Sequence, residues 1–214
     1  MIENAVAIAV GYLIGAVPLG LVLGKLLRGI DIREYGSGKI GATNVLRAVG
    51  GKAATAVLIF DLGKGVLAVF IAKGLGDALY VEAIAGLAAV AGHNWSIFIG
   101  FSGGRGVNTG LGGLFGMAPM WAAGALGTGF LVIGLSRYVS VGSICGALFG
   151  ASATLVLALT GHAPWEYFGY GATVTGLIIF QHRDNLLRLF KGEERRLGQG
   201  TERRDAAEAS PDAG

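Results

Sequence analysis

The sequence has few of the charged residues with which a soluble protein covers its surface. Asp, Glu, Lys and Arg make up 14% of the 214 residues, whereas soluble domains carry about 25%. Cysteine is nearly absent: Cys145 lies alone in an apolar run, which excludes an intrachain disulfide framework. Prolines are few and glycine follows no G-X-Y period, which excludes a collagen-like chain. Because 53% of the residues are hydrophobic, the composition indicates an integral membrane protein.

Glycine, in contrast, is abundant, with 39 residues, whereas it makes up about 7% of an average protein. Several glycines form G-x-x-x-G pairs inside apolar runs, such as Gly142, Gly146 and Gly150, and this spacing favours close packing of transmembrane helices. The net charge of +3 arises from basic residues in loops and near the C-terminus, so we do not expect nucleic acid as a partner.

Seven apolar segments predict an all-α integral membrane protein with seven transmembrane helices. They cover approximately residues 4–27, 53–75, 79–99, 106–117, 119–136, 139–160 and 164–181. Most approach the ~20 residues that a span requires, and the fourth is short. Loops rich in Lys and Arg alternate with loops that have few, so the positive-inside rule predicts an outside N-terminus and a cytoplasmic C-terminus.

The same pattern divides the chain into two regions. Residues 1–191 are expected to form the membrane domain, with the first segment retained as an anchor and not cleaved as a signal peptide. Residues 192–214 are polar and charged without apolar periodicity, so we expect a disordered cytoplasmic tail outside any functional site.

One polar stretch, "GSGKIGATN" at residues 36–44, matches the G-x-G-x-x-G pattern of dinucleotide-binding loops. An apolar segment follows it and leaves no room for a βαβ unit, so the dinucleotide interpretation is disfavoured. A helix that starts near Gly41 would still present free N–H groups to an anion. The candidate anion-binding residues are Ser37, Gly38, Thr43, Asn44 and Arg47. The alternative is an interfacial loop in which Arg47 faces lipid headgroups.

A second glycine-rich stretch, "FSGGRGVNTG" at residues 101–110, surrounds one arginine with small residues. Gly103, Gly104 and Gly106 would expose N–H groups around the guanidinium of Arg105, which binds phosphate bidentately. The alternative is a flexible turn from which Arg105 extends to the membrane surface.

Two further polar groups lie at the ends of apolar segments. Arg137, Ser140 and Ser143 stand at the start of the sixth segment, while His182 and Asn185, three residues apart, follow the end of the seventh. The alternative for both groups is an anchor at the level of the lipid headgroups. The three histidines lie in different segments, so no metal site is predicted. Asp61 and Lys64 are expected to form an ion pair inside the bundle or to support the site from behind. Because no strong base is evident, the reaction is expected to need little help with proton transfer.

Four motifs together resemble those of the bacterial acyl-phosphate:glycerol-3-phosphate acyltransferases, in order and topology. They are "GSGKIGATNVLR", "GHNWSIFIGFSGGRGV", "RYVSVGSI" and "HRDNLLRLFKGEE". The resemblance implies a multi-pass enzyme of the bacterial inner membrane with a cytoplasmic active site. Its substrates would be acyl phosphate and glycerol 3-phosphate, its products lysophosphatidic acid and phosphate, and it would need no metal or cofactor. The oligomeric state is left open, with a monomer as one option.

The resemblance also implies roles for individual residues. Ser37 and Arg47 would contact substrate, and Thr43 and Asn44 would shape the pocket around it. Gly38 is a further candidate for binding phosphate. The Gly103–Gly106 loop would hold phosphate with Arg105 at its centre, while Ser140 and Ser143 would line the site. Arg137 is a further candidate for binding phosphate. His182 and Asn185 would bind and orient glycerol phosphate. Catalysis would be substrate-assisted, because a phosphate would remove the proton of the attacking hydroxyl.

The chain departs from the family at four positions in these motifs. Lys39 stands where the family usually has Asn, and Ser102, Arg105 and Asn108 replace residues of its usual "FKGGKGVAT". One hypothesis is that Lys39 supplies the charge that is missing at Ser102. The departures also leave open a paralogue with altered substrate preference. Outside the enzyme class, the alternatives are a small transporter of a phosphorylated solute and a structural membrane subunit.

Overall fold

Ten α-helices and two 3₁₀ turns form the secondary structure of residues 1–76, 78–201 and 203, which are those that this computed structural model describes. No β-strand occurs among these residues. The helices are α1 (Ile2–Ala16), α2 (Leu19–Arg28), α3 (Ala42–Ala48), α4 (Gly51–Leu75), α5 (Leu79–Asn94), α6 (Val107–Met117), α7 (Pro119–Ser136), α8 (Val139–Leu159), α9 (Trp165–Gln181) and α10 (Arg183–Phe190). The 3₁₀ turns cover Ile32–Glu34 and Ile97–Ile99.

Four segments among the described residues are long and apolar enough to cross a membrane. They are Ile2–Arg28, Gly51–Leu75, Pro119–Ser136 and Val139–Leu159. Helices α5, α6 and α9 are shorter, with 16, 11 and 17 residues. Each predicted apolar segment overlaps at least one of these helices, and the predicted all-helical architecture is confirmed for the described residues.

The first predicted segment differs from the structure because it is not one continuous helix. Helix α1 ends at Ala16 and α2 begins at Leu19, so the chain breaks at Val17–Pro18. Proline has no N–H to donate, and its ring clashes with the preceding turn of a helix. Helix α5 is also shorter than the third predicted segment, 79–99, since it ends at Asn94. The chain then turns at Gly100, which has φ 68°.

Glycines bring the helix backbones into direct contact. A Cβ at Gly15 would overlap the backbone of Ala89, and one at Gly92 would overlap the carbonyl of Tyr12, so α1 and α5 touch along their length. A Cβ at Gly65 would likewise overlap the carbonyl of Thr109, which joins α4 to α6. This is the close packing that small residues allow between membrane helices.

Helices α3 and α10 are short, and each precedes or follows a polar loop. Helix α3 begins after Gly41, as the sequence predicts, and α10 follows α9 with His182 as the residue between them. The chain therefore turns at both places and carries polar side chains to one end of the bundle.

Candidate active site

Asn44 organises the first glycine-rich loop. Its Nδ2 lies 3.0, 3.0 and 2.8 Å from the carbonyls of Ile32, Tyr35 and Lys39. Its Oδ1 accepts a hydrogen bond from the N–H of Ser37 at 3.2 Å. Because the side chain is only 2% exposed, it serves as a buried support that fixes the positions of Ser37 and Lys39.

Gly38 was expected to bind an anion, but in the structure it forms part of the turn after Tyr35. Its φ of 67° is one that glycine adopts easily. Its N–H donates to the carbonyl of Tyr35 at 2.9 Å and is therefore already engaged. Gly38 shapes the turn and lines neither of the cavities described below.

In the second glycine-rich loop, only two of the four expected anion-binding residues line a cavity. A Cβ at Gly103 would overlap the carbonyl of His93, and one at Gly104 would overlap the His93 ring. The N–H of Gly104 also donates to the carbonyl of His93 at 3.0 Å. Gly103 and Gly104 therefore pack against the end of α5, and neither lines a cavity, so their expected contact with phosphate stays a prediction. Arg105 and Gly106 do line a cavity.

Two adjoining cavities lie at this end of the bundle, with volumes of about 430 and 310 Å³. The larger one extends between α4, α6, α7, α8 and α9, and the smaller one is bounded by the polar loops and α10. Six residues line both: Ser37, Lys39, Arg47, Arg105, Asn185 and Glu194. The two spaces therefore meet at a set of polar side chains.

The larger cavity has a long apolar arm. On α8 its wall runs from Val139 to Ala151, which is roughly 18 Å of helix. On α9 it runs from Tyr170 to the residue after the helix, His182, over a similar length. This depth is comparable to one leaflet of a bilayer, whose hydrocarbon core is ~30 Å thick.

The smaller cavity is strongly basic. Five cationic and two acidic side chains line it: Lys39, Arg47, Arg105, Arg188 and Arg195, with Asp184 and Glu194. Burial lowers the pKa values of Lys39 and Arg47 from their usual range. Burial and the charge of Arg188 lower the pKa of Arg105 to about 10, so it remains protonated at neutral pH. An anionic ligand would relieve this repulsion.

His182 is held with a defined tautomer in the wall of the larger cavity. Its Nδ1 lies 2.8 Å from the carbonyl of Ile178, which can only accept, so Nδ1 carries the proton and Nε2 is an acceptor. Burial, followed by the charge of Arg105, lowers the pKa of His182 to about 4. The ring is therefore neutral at physiological pH.

Glu194 is a site residue that the sequence analysis assigned to a tail outside the site. Its Oε1 accepts hydrogen bonds from Ser140 Oγ at 2.9 Å and from Asn185 Nδ2 at 2.6 Å. Its Oε2 lies 3.1 Å from Arg188 Nε. The side chain is buried, because these partners surround it.

The residues after Glu194 correct the expectation of a detached tail further. The N–H of Leu197 donates to the carbonyl of Arg137 at 2.7 Å, and Arg195 lines the basic cavity. The segment up to residue 201 therefore packs on the bundle, while 202 and 204–214 lie outside the described residues. The signal for Glu194 was its place at the end of the motif "HRDNLLRLFKGEE".

Residues 5–192 match the profile of the glycerol-3-phosphate acyltransferase family. The chain belongs to this family. The glycerol-3-phosphate acyltransferase of Synechococcus sp. (strain CC9902) is 42% identical, over 93% of this chain and 98% of that protein. That of Thermoanaerobacter pseudethanolicus (strain ATCC 33223 / 39E) is 44% identical, over 90% of this chain and 95% of its own length.

Two solved structures of the integral membrane glycerol 3-phosphate acyltransferase PlsY (YgiH) have the same fold. The glycerol 3-phosphate form gives a TM-score of 0.83 at 37% identity, covering 91% of this chain and 96% of that one. The lysophosphatidic acid form gives 0.81, also at 37% identity, and covers 91% and 95%. The present protein is therefore a membrane acyltransferase of glycerol 3-phosphate, and a place in phospholipid synthesis follows from the family.

In this acyltransferase, most of the residues that the sequence analysis selected lie together. Those that line the larger cavity are Ser37, Thr43, Asn44, Arg47, Arg105, Gly106, Ser140, Ser143, His182 and Asn185. Arg137 does not: it is exposed, and its Nη2 donates to the carbonyl of Leu197 at 3.2 Å. Among the described residues, no three His, Cys, Asp or Glu side chains are grouped so that they would hold a metal ion.

Proposed function

We propose that the acyltransferase takes its acyl group from acyl phosphate and transfers it to the 1-hydroxyl of glycerol 3-phosphate. The products are lysophosphatidic acid and inorganic phosphate, and no metal takes part. The observation that carries this proposal is the junction of an apolar arm with a basic cavity. An acyl phosphate has its charge next to its acyl carbonyl, so its chain in the arm and its phosphate among the cations leave the carbonyl at the junction.

The side chains at the junction are complementary to these two substrates. Arg105, Arg47 and Lys39 are donors and cations that suit phosphate oxygens, and guanidinium groups bind them bidentately. His182 Nε2 and Asn185 Oδ1 are acceptors that suit the hydroxyls of a glycerol unit. The Oδ1 of Asn185 is buried and has no hydrogen-bond partner among the described residues. In this assignment Ser37 and Gly106 contact a phosphate, while Ser140 and Ser143 line the site.

The chemical step needs no strong base from the protein. The hydroxyl oxygen bonds to the acyl carbon, the bond from that carbon to the phosphate oxygen breaks, and the proton passes to phosphate. With its pKa lowered to about 4 by burial and Arg105, His182 is a weak base that orients the hydroxyl. A phosphate, with a second pKa near ~6, is the better proton acceptor. Positioning and stabilisation of charge then supply the rate.

We further propose seven membrane spans with an outside N-terminus and the site on the cytoplasmic side of the bacterial inner membrane. The five cations of the basic cavity and the segment after α10 lie at one end of the bundle, and cytoplasmic loops are those enriched in Lys and Arg. One chain lines both cavities, which supports a monomer as the catalytic unit.

Phosphate release by the purified protein in lipid vesicles tests the donor. With palmitoyl phosphate, release is expected to require glycerol 3-phosphate and to match lysophosphatidic acid formation. Arg105→Gln is expected to lower this rate at least 100-fold, since one stabilising donor of a transition state contributes 10²–10³-fold. Product from palmitoyl-CoA but not from palmitoyl phosphate would refute the donor. Uptake of glycerol 3-phosphate without any product would instead identify a transporter.

A further inference from the structure

A buried lysine closes the break between α1 and α2. The Nζ of Lys64 on α4 donates to the carbonyls of Gly15 and Val17, both at 3.1 Å. The Oγ of Ser96 donates to the carbonyl between them, Ala16, at 2.6 Å. The carbonyls of Gly15 and Ala16 lose helical partners where Pro18 interrupts the chain, and in an apolar bundle each needs another donor. The carbonyl of Val17 also accepts the N–H of Leu19 at 3.2 Å.

The same lysine belongs to a three-residue ionic network. Asp61 Oδ1 lies 2.7 Å from Lys64 Nζ, and His93 Nδ1 lies 3.3 Å from Nζ and 3.6 Å from Asp61 Oδ1. All three residues are at most 4% exposed. Charged side chains inside a membrane bundle are costly and are retained chiefly where they have a function. The expected Asp61–Lys64 ion pair is present. His93 lies beside it, and the sequence did not predict this contact.

One side of this network supports the loop that carries Arg105. His93 is the penultimate residue of α5, and its carbonyl accepts the N–H of Gly104 at 3.0 Å. Its ring lies so close to Gly104 that a Cβ there would overlap it. The position of the ring therefore sets the position of Gly104, and with it the position of the next residue, Arg105.

The other side supports the loop that carries Ser37 and Lys39. The break at Pro18 fixes the direction of α2. On α2, Gly20 packs so tightly on the carbonyl of Ile40 that a Cβ would overlap it. The orientation of α2 therefore sets the end of the first loop. Asp61 and His93 also line the larger cavity, directly behind these loops.

We propose that Asp61, Lys64 and His93 are positioning residues that hold the two anion-binding loops in register for acyl transfer. They act through Gly104 and through α2 and are not assigned any contact with substrate. Loss of register changes the distance between reacting groups more than it changes the affinity of either loop. A displacement of about 1 Å remote from the chemistry is able to lower a rate about 100-fold.

The test compares two double variants, each of which removes one positive and one negative charge and so leaves the net charge unchanged. Asp61→Asn with Lys64→Met removes both charges of the network. The matched control is Lys73→Met with Glu82→Gln: Lys73 also donates to a backbone carbonyl, Gly116 at 2.8 Å, and lies 3.6 Å from Glu82. Neither control residue lines the cavities. His93→Asn is a third variant, which keeps a polar atom near Lys64 and removes the ring from Gly104.

The full-length protein is assayed in vesicles with the donor that the wild type uses, so the result does not depend on the identity of that donor. We expect kcat to fall about 100-fold in the first double variant and in His93→Asn, with KM for glycerol 3-phosphate changed less than threefold. The control pair is expected to keep kcat within threefold. Thermal unfolding in detergent is measured on each variant to separate stability from rate.

Two results would overturn the proposal. The first is a kcat within threefold of the wild type in a folded Asp61→Asn/Lys64→Met protein. The second is an equal loss of kcat and melting temperature in that variant and in the control pair, which would mean that the network only stabilises the bundle. If the double variant does not fold, His93→Asn decides by the same criteria.

Discussion

Asn185 donates a hydrogen bond of 2.6 Å through its Nδ2 to Oε1 of Glu194, nine residues further along the chain. The contact fixes the orientation of the amide and leaves its Oδ1 without a partner among the described residues. The same carboxylate accepts from Ser140 and lies against Arg188, so it joins α8 to α10. Glu194, which follows the end of α10, thus holds Asn185, a proposed glycerol-binding residue, in place.

Replacement of Glu194 by Gln is expected to lower kcat/KM by roughly 10- to 100-fold. A hydrogen bond to a charged group contributes about 1.5–3 kcal/mol, and Gln turns an NH₂ group toward one of the three donors. Steady-state kinetics with varied glycerol 3-phosphate checks the effect. Glu193→Gln, at the exposed neighbouring position, is the control and is expected to behave like the wild type. Equal rates for the two variants would contradict the assignment.

The acid sensitivity of the fold is expected to depend on His182. Burial and Arg105 lower the pKa of His182 from 6.5 to about 4. Between these values the unfolded chain binds a proton that the folded protein does not, so the free energy of unfolding decreases as the pH falls. The full difference corresponds to roughly 3 kcal/mol, and this stability is complete above pH ~6.5.

His182→Gln is therefore expected to melt with a weaker pH dependence than the wild type between pH 4.5 and 6.5. Melting temperatures in detergent over this range provide the measurement. The exposed His162 offers the control, because His162→Gln is expected to keep the wild-type dependence. Identical pH profiles for both variants would exclude a buried neutral His182.

Lys39 and Ser102 are expected to act independently. Lys39 lines both cavities, and Arg105 contributes to lowering its pKa after burial. Ser102 lines neither cavity: its Oγ donates to the carbonyl of Ile99 at 3.0 Å and lies 3.4 Å from Arg33 Nη1. The hypothesis that Lys39 replaces a charge at Ser102 therefore has no support in their positions.

We expect Lys39→Asn to raise KM for glycerol 3-phosphate about tenfold, because one charge-assisted contact is lost. Ser102→Lys is expected not to restore it. A double-mutant cycle with these two substitutions measures the coupling, and a value near zero is expected. A coupling above ~1 kcal/mol would restore the compensation hypothesis.

The apolar arm is expected to select the length of the acyl chain. Ala151 lines the arm twelve residues beyond Val139 on α8, and it packs on Gly171, which also lines the arm. Ala151→Leu is expected to lower kcat/KM for palmitoyl phosphate at least tenfold more than for decanoyl phosphate, because its added volume shortens the arm. Ser152→Leu, on the exposed face of the same helix, is the control. Equal effects on both donors would show that the arm does not end near Ala151.

Local patterns predicted the parts of this site that depend on near neighbours in the chain. The start of α3 after Gly41 agrees with expectation and depends only on such neighbours. The gathering of Ser37, Arg47 and Arg105 followed from hydropathy, since polar loops between apolar runs must lie at a membrane surface. Pro18 also signals the helix break in the sequence, but the prediction of one continuous segment over residues 4–27 rested on hydropathy, which does not change at this proline.

Gly103 and Gly104 show why composition alone did not separate two roles of glycine. In a loop, glycine either exposes N–H groups to a ligand or allows close packing, and the two roles have the same sequence pattern. Only the ring of His93 beside Gly104 distinguishes them. Gly38 has a third role, since its N–H is used by the turn itself.

Hydropathy and glycine spacing by themselves indicated an all-helical membrane protein with basic loops, and the resemblance of four short motifs to a known family indicated acyl transfer. Hydropathy and glycine spacing did so because exclusion of charge from lipid and close packing of helices act on every span. The tertiary structure alone decided which side chains meet: Glu194 with Ser140, and Lys64 with the carbonyls of Gly15 and Val17. Such contacts join residues far apart in sequence through directional hydrogen bonds, and no periodicity along the chain records them.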